Sequence, residues 1–167
     1  MATYRSNGFT NYPDNPAYSS GKKMKSVFFE ATIASATNEN DDVWILSGPH
    51  SFGDKIAAVK GATPAFNSAN NNDLGFYKKN EDGTFTAIDA DILWDGVDLS
   101  SALTYRELLG TLNTSLDRTK NIGQLLSLSA EKEPVGGVYL GLQMKTASSA
   151  ASEKLKLEIN VEEATTN

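Results

Sequence analysis

The chain contains no cysteine, so no disulfide, thiol nucleophile or cysteine-based zinc or iron–sulfur site enters its chemistry. It has one histidine, His50, which excludes metal centres built on several imidazoles and leaves a Ser-His-Asp system only that residue to use. No Gly-x-Ser-x-Gly surrounds any serine, and His50 stands in the turn-rich run Ser47-Gly48-Pro49-His50-Ser51-Phe52-Gly53. An exposed loop histidine is expected there in preference to a catalytic one. Basic residues are scarce as well: 15 Lys and Arg face 21 Asp and Glu, a net charge of -6. A body that neutralises phosphate to bind nucleic acid or an anionic membrane is therefore not expected. No stretch approaches about 18 consecutive apolar residues, and the start Met1-Ala2-Thr3-Tyr4-Arg5 lacks the apolar run of a secretion signal. The expectation is a protein made in the cytoplasm and used without secretory transport.

What is present is the composition of one folded domain: 167 residues, 40% hydrophobic and 22% charged. Residues 1–24 stand apart from the rest. They hold Pro13 and Pro16 and no aliphatic side chain larger than alanine apart from Met1 and Met24, so no periodic core face runs through them. Yet they carry Tyr4, Phe9, Tyr12 and Tyr18, aromatics suited to filling pockets on a partner. Arg5, Lys22, Lys23 and Lys25 meet a single acid, Asp14, in residues 1–25. The result is a basic aromatic arm on an acidic body, with Tyr4, Arg5, Phe9, Tyr12, Tyr18, Lys22 and Lys23 as expected anchors.

From Lys25 onward, residues 25–167 read as one domain dominated by period-two alternation. Val27, Phe29, Ala31 and Ile33 share one face, with Phe28, Glu30 and Thr32 on the other. Lys154 to Glu162 alternates four aliphatics with charged or amide groups, which describes a strand with one wet face. Further strands are expected at 43–46, 55–62, 74–78, 84–88 and 137–146. Asn80-Glu81-Asp82-Gly83 between two of them predicts a tight hairpin. Helical signal is confined to one block. Thr104-Tyr105-Arg106-Glu107 matches a capping box and predicts a short helix near 105–112, and Asn121-Ile122-Gly123-Gln124 predicts another near 122–128. Together these predict a mainly-β domain, an antiparallel β-sandwich or jelly-roll with two short helices and an extended N-terminal arm.

Candidate chemistry is thin. The acidic run Asp89 to Asp98 fails the calcium-loop pattern, because Leu93 and Ser100 fall where the fifth and twelfth ligands belong. Solvated turns or caps are expected instead. Trp44 and Trp94 would offer sugar platforms if exposed, but their aliphatic neighbours Val43, Ile45 and Leu93 predict burial. Gly136-Gly137 precedes a strand instead of following one, so it reads as a turn and not as a phosphate loop. Catalytic residues, cofactors and metals are all expected to be none. Phe28 and Tyr139 lie opposite the core-facing residues of their strands, and such side chains are candidates for self-association, as a trimer.

In its order of segments the chain resembles the capsid decoration or cement proteins of tailed bacteriophages. A polar aromatic arm is followed by Val43-Trp44-Ile45-Leu46, then Lys55 to Thr63, Asp73-Leu74-Gly75-Phe76-Tyr77-Lys78-Lys79, Asp82-Gly83-Thr84-Phe85 and Asp89-Ala90-Asp91-Ile92-Leu93, and by a final pair of strands. The resemblance covers most of residues 25–162. It implies a non-enzymatic virion subunit, often trimeric, on the outer surface of a phage head, bridging and stabilising copies of the major capsid protein. The alternative is a lectin-like carbohydrate-binding β-sandwich on a phage particle or cell surface.

Overall fold

In the computed structural model, residues 3–5, 10–11, 23–33, 40–66, 71–109, 119–147 and 152–164 are described, and they form two β-sheets laid face to face. The strands are β1 (Thr3–Arg5), β2 (Thr10–Asn11), β3 (Met24–Ile33), β4 (Asp42–His50), β5 (Lys55–Thr63), β6 (Asn72–Lys79), β7 (Phe85–Val97), β8 (Leu103–Glu107), β9 (Val138–Met144) and β10 (Glu153–Glu162). One sheet has the order β1-β4-β9-β6-β7, the other β2-β3-β10-β5-β8. β3 pairs with β10, β4 with β9, β5 with β8 and β6 with β7, all antiparallel. The chain thus runs out and returns along itself as one long hairpin, and successive pairs alternate between the sheets. That winding is a jelly-roll.

The hairpin tip lies where the sequence predicts it. Gly83 takes φ 86° and its N–H donates to the Asn80 carbonyl, while the Asn80 N–H donates to that of Thr84 at 2.8 Å. β3 and β10 keep their predicted alternation: Val27, Phe29 and Ile33 lie beside Leu155, Leu157, Ile159 and Val161 on the core face, and Glu30, Lys154 and Lys156 face water. β4 and β6 behave differently, because they are buried on both faces over most of their length. Trp44, Leu46, Leu74 and Phe76 enter the main core, whereas Val43, Ile45, Tyr77 and Phe85 form a second cluster on the other face of their sheet. β7 covers that face. Between its pairings Phe76↔Asp89 and Leu74↔Trp94 it carries three residues more than β6, and the surplus bulges over Gly75. A Cβ on Gly75 would collide with the backbone of Asp89 and Ala90, so glycine is what lets the two strands approach.

Several expectations are corrected. Residues 103–107 form a strand, not the start of a helix near 105–112: β8 pairs with β5 as Lys60↔Glu107, Gly61↔Arg106 and Thr63↔Leu103. The Glu107 carboxylate accepts the Val59 N–H at 2.9 Å instead of closing a capping box, and Leu103, Leu108 and Leu109 are buried. An open edge on β5 and an apolar cavity to fill outweigh a local capping motif. Residues 110–118 lie outside the described residues. The second helix is present as α1 (Ile122–Leu125), with both capping-box bonds between Asn121 and Gln124. It is shorter than 122–128 because Ser127 takes φ 54° and the Leu128 N–H reaches back to the Gly123 carbonyl, which closes the helix in a Schellman turn. The acidic run, expected as solvated turns or caps, is mostly strand: β7 extends to Val97. The arm, expected to lie outside the core, contributes two short strands to the edges of its own body, β1 running parallel to β4 and β2 antiparallel to β3.

Candidate interaction surfaces

His50 is not exposed. It ends β4 at 7% exposure, with its Nε2 2.8 Å from the Ser47 hydroxyl. Burial holds its pKa down at about 4, so the imidazole is neutral at pH 7. A serine beside a histidine suggests nucleophilic chemistry, but Ser47 has no exposed surface. The nearby Asp54 carboxylate is engaged elsewhere, accepting backbone N–H bonds from Ser51 and Ala164 at 2.9 and 2.8 Å. The pair is a satisfied structural contact where β4 turns into β5, not a site open to substrate.

The acidic residues likewise divide into structural duties. Asp73, almost buried, pairs with Lys145 at 3.1 Å and accepts the Gly96 N–H. Asp89 has its pKa raised, first by burial and then by its hydrogen bond with Asp91. Asp98 receives the N–H and hydroxyl of Ser100, and Asp82 those of Thr84. Among the described residues no group of three or more His, Asp or Glu is placed to hold a metal ion. Trp44 is 4% exposed within the core, out of reach of a sugar, and Trp94 packs partly buried against that core.

Among the described residues, the large hydrophobic side chains that are exposed are Phe28 and Val135. On the outer face of the β3 sheet, Phe28 is 41% exposed, in a row where Glu30 pairs with both Lys154 and Lys156. Lys55 and Glu162 form a further ion pair on the same sheet at 3.1 Å. Among the described residues this is a solvated, charge-paired face that includes the aromatic Phe28. Tyr139, the other expected self-association residue, is half-buried and meets Phe85 edge to face at a centroid distance of 5.0 Å. Its ring packs on the second cluster. Val135 stands fully exposed at a loop tip, in a turn closed by Gly137 N–H to the Pro134 carbonyl.

The sheet edges are the other available surface. Tyr4 lies in register with Trp44 and Arg5 with Ile45 along the β4 edge, and Thr10 lies in register with Phe28 along the β3 edge. β3 and β4 approach each other where one sheet gives way to the other, so the arm crosses from one sheet to the other on that side of the sandwich. Lys23 is exposed, and its carbonyl accepts the Glu163 N–H at 2.8 Å, tying the start of β3 to the end of β10. Phe9, Tyr12, Tyr18 and Lys22 lie outside the described residues. Of the expected anchors, Tyr4 and Arg5 are placed by their backbone on the β4 edge and Lys23 at the start of β3. What the sequence reading missed is the backbone pairing of the arm, for which strands of three and two residues leave no periodic signal.

No protein-family model matches the chain, and no curated protein matches it in sequence. A solved structure does match in fold: a chain from "Capsid of Ralstonia phage GP4" superimposes with a TM-score of 0.65. Its sequence is 12% identical, and the match covers 99% of this chain and 100% of that one.

Proposed function

We propose that the chain is a non-enzymatic virion structural protein, a decoration or cement protein that binds the outer surface of a phage head and bridges major capsid protein subunits. One observation carries this reading: the jelly-roll has the fold of a chain in the capsid of Ralstonia phage GP4. The chemistry agrees with it. The one histidine and its serine neighbour are sealed from substrate, while edge strands and scattered exposed apolar groups remain to make contacts. Affinity in such a protein comes from aromatic anchors and strand addition, with weak contacts multiplied by the symmetry of the shell. Tyr4, Phe9, Tyr12 and Tyr18 are the proposed anchors, Arg5, Lys22 and Lys23 add a salt-sensitive attraction, and a trimer is the proposed state on the head.

The test is to add the purified protein to heads that lack it and count bound copies. A saturating copy number that matches shell symmetry, with a raised temperature of head disruption, is the expected result. Heads that retain none would overturn the reading. A titration response to millimolar sugar by the isolated protein would favour the lectin-like alternative.

A further inference from the structure

We propose that the edge formed by β4 and β3 accepts the N-terminal arm of a second copy of this chain, so that neighbouring copies are joined by exchanged arms. The inference deepens the functional reading above and rests on it for the setting, a shell in which copies stand side by side.

The four antiparallel pairs from β3–β10 to β6–β7 complete the jelly-roll without the arm. β1 and β2 add only three and two residues, each on the last strand of a sheet. Without them β4 and β3 would present unpaired N–H and C=O groups, the template that recruits another strand. The structure shows which segment fits this edge: Thr3, Tyr4 and Arg5 against Val43, Trp44 and Ile45, then Thr10 and Asn11 against Phe28 and Val27. Every copy carries the same segment and the same edge, so an arm from a neighbour makes the same ladder as the chain's own, and only the connection differs.

That connection is long enough. Residues 12–23 separate β2 from the start of β3, and twelve residues span up to about 40 Å when extended. The radius of gyration expected for a chain of this length is about 15 Å, so the linker reaches across a whole neighbour. Pro13 and Pro16 within it favour extended backbone. In dilute solution the chain's own edge is the nearer one and wins, because a short linker holds it at an effective millimolar concentration. Packed on a shell, a neighbour's edge reaches the same concentration, and exchange becomes competitive.

The absence of native cysteine makes the test clean. Single variants Thr10→Cys and Phe28→Cys occupy register partners of an antiparallel pair, a spacing within disulfide range. Mixed in equal amounts, concentrated to about 1 mM and oxidised, they should yield a covalent dimer whose 10–28 linkage is read by mass spectrometry, with a yield that rises steeply from micromolar concentration. The double variant should close within one chain at micromolar concentration. The control pairs Thr10→Cys with Thr86→Cys, an exposed position on the distant β7. An equal dimer yield from the control, or no 10–28 linkage between chains, overturns the proposal. Melting of Phe28→Cys confirms that this exposed substitution leaves the fold intact. Head occupancy, measured separately, keeps the two ideas apart: exchange without occupancy overturns the virion reading alone, and occupancy with every 10–28 linkage intrachain on the head overturns exchange alone.

Discussion

Acidification from pH 7 to pH 4 should weaken the fold through His50. An imidazole in the unfolded chain takes a proton near pH 6.5, whereas burial holds the folded His50 at about 4. Asp54 opposes that depression and Lys25 adds to it, and burial outweighs both. Above pH 6.5 both states are neutral and the histidine makes no pH-dependent contribution. Below it the unfolded state binds the extra proton, and stability falls by about 1.4 kcal/mol per pH unit until the folded group titrates as well. The cumulative loss is about 3 kcal/mol by pH 4, a large share of the 5 to 15 kcal/mol typical of a domain. The assay is urea unfolding at pH 7, 6, 5 and 4 for the natural protein and for His50→Gln, whose amide can still meet the Ser47 hydroxyl. Other groups titrate over the same range. Glu30 and Asp82 have lowered pKa values, so their stabilisation is lost in acid, and Asp89, raised by burial, shifts the balance the other way. All of these are common to both proteins. The difference between the two curves should therefore narrow by about 3 kcal/mol between pH 7 and 4, as the natural protein loses stability that the variant does not. Curves that stay parallel would refute the argument and place His50 in contact with water.

Gly75→Ala should destabilise by about 3 kcal/mol or more, since the new methyl group meets the backbone of Asp89 and Ala90, which cannot swing aside. Gly83→Ala should cost only about 1 to 2 kcal/mol, for its positive φ alone, because nothing lies within 4 Å of the added carbon; thermal melting of the two variants side by side checks the order. Asn121→Ala removes the side-chain half of the capping box on α1 and should cost about 1 kcal/mol in urea unfolding, with the rest of the fold unchanged.

The legibility of the fold in the sequence follows from how many faces of each strand are wet. β3 and β10 each have one buried and one solvated face, so their side chains alternate and were readable residue by residue. β4 and β6 are buried on both faces, and Val43-Trp44-Ile45-Leu46 shows an apolar run with no period, which marks a strand without saying which side chain points where. β7 was under-read because its carboxylates argue for turns. On an edge strand that bulges over its neighbour, Asp89, Asp91 and Asp95 can keep their carboxyl groups near the surface while the backbone stays extended. The helix expected near 105–112, where residues 103–107 form a strand, and the true one at Ile122–Leu125 carry the same kind of capping motif. What separates them is tertiary: the first lies beside an unpaired edge of β5, and the second packs on Phe52, where Gly123 leaves room for the ring.

The same reasoning explains why the surface for partners was only half visible. Side-chain pattern placed Phe28 and Tyr139 opposite the core-facing residues of their strands; Phe28 is exposed there, whereas Tyr139 packs on a second apolar cluster beneath β7. An outward-facing aromatic is a contact residue only if nothing in its own chain covers it, and cover is a property of the bulge in β7 that no local pattern encodes. Strand edges are less visible still, because their recognition groups are backbone N–H and C=O, present at nearly every residue. The composition of the arm, aromatic and basic on an acidic body, signalled attachment without saying to what. On the proposal of exchanged arms, the two edges that the arm touches, β4 and β3, are the ones it would vacate for a neighbour's arm to enter. On that proposal, attachment between copies and closure of a single copy compete for one backbone surface, and the concentration of neighbours decides between them.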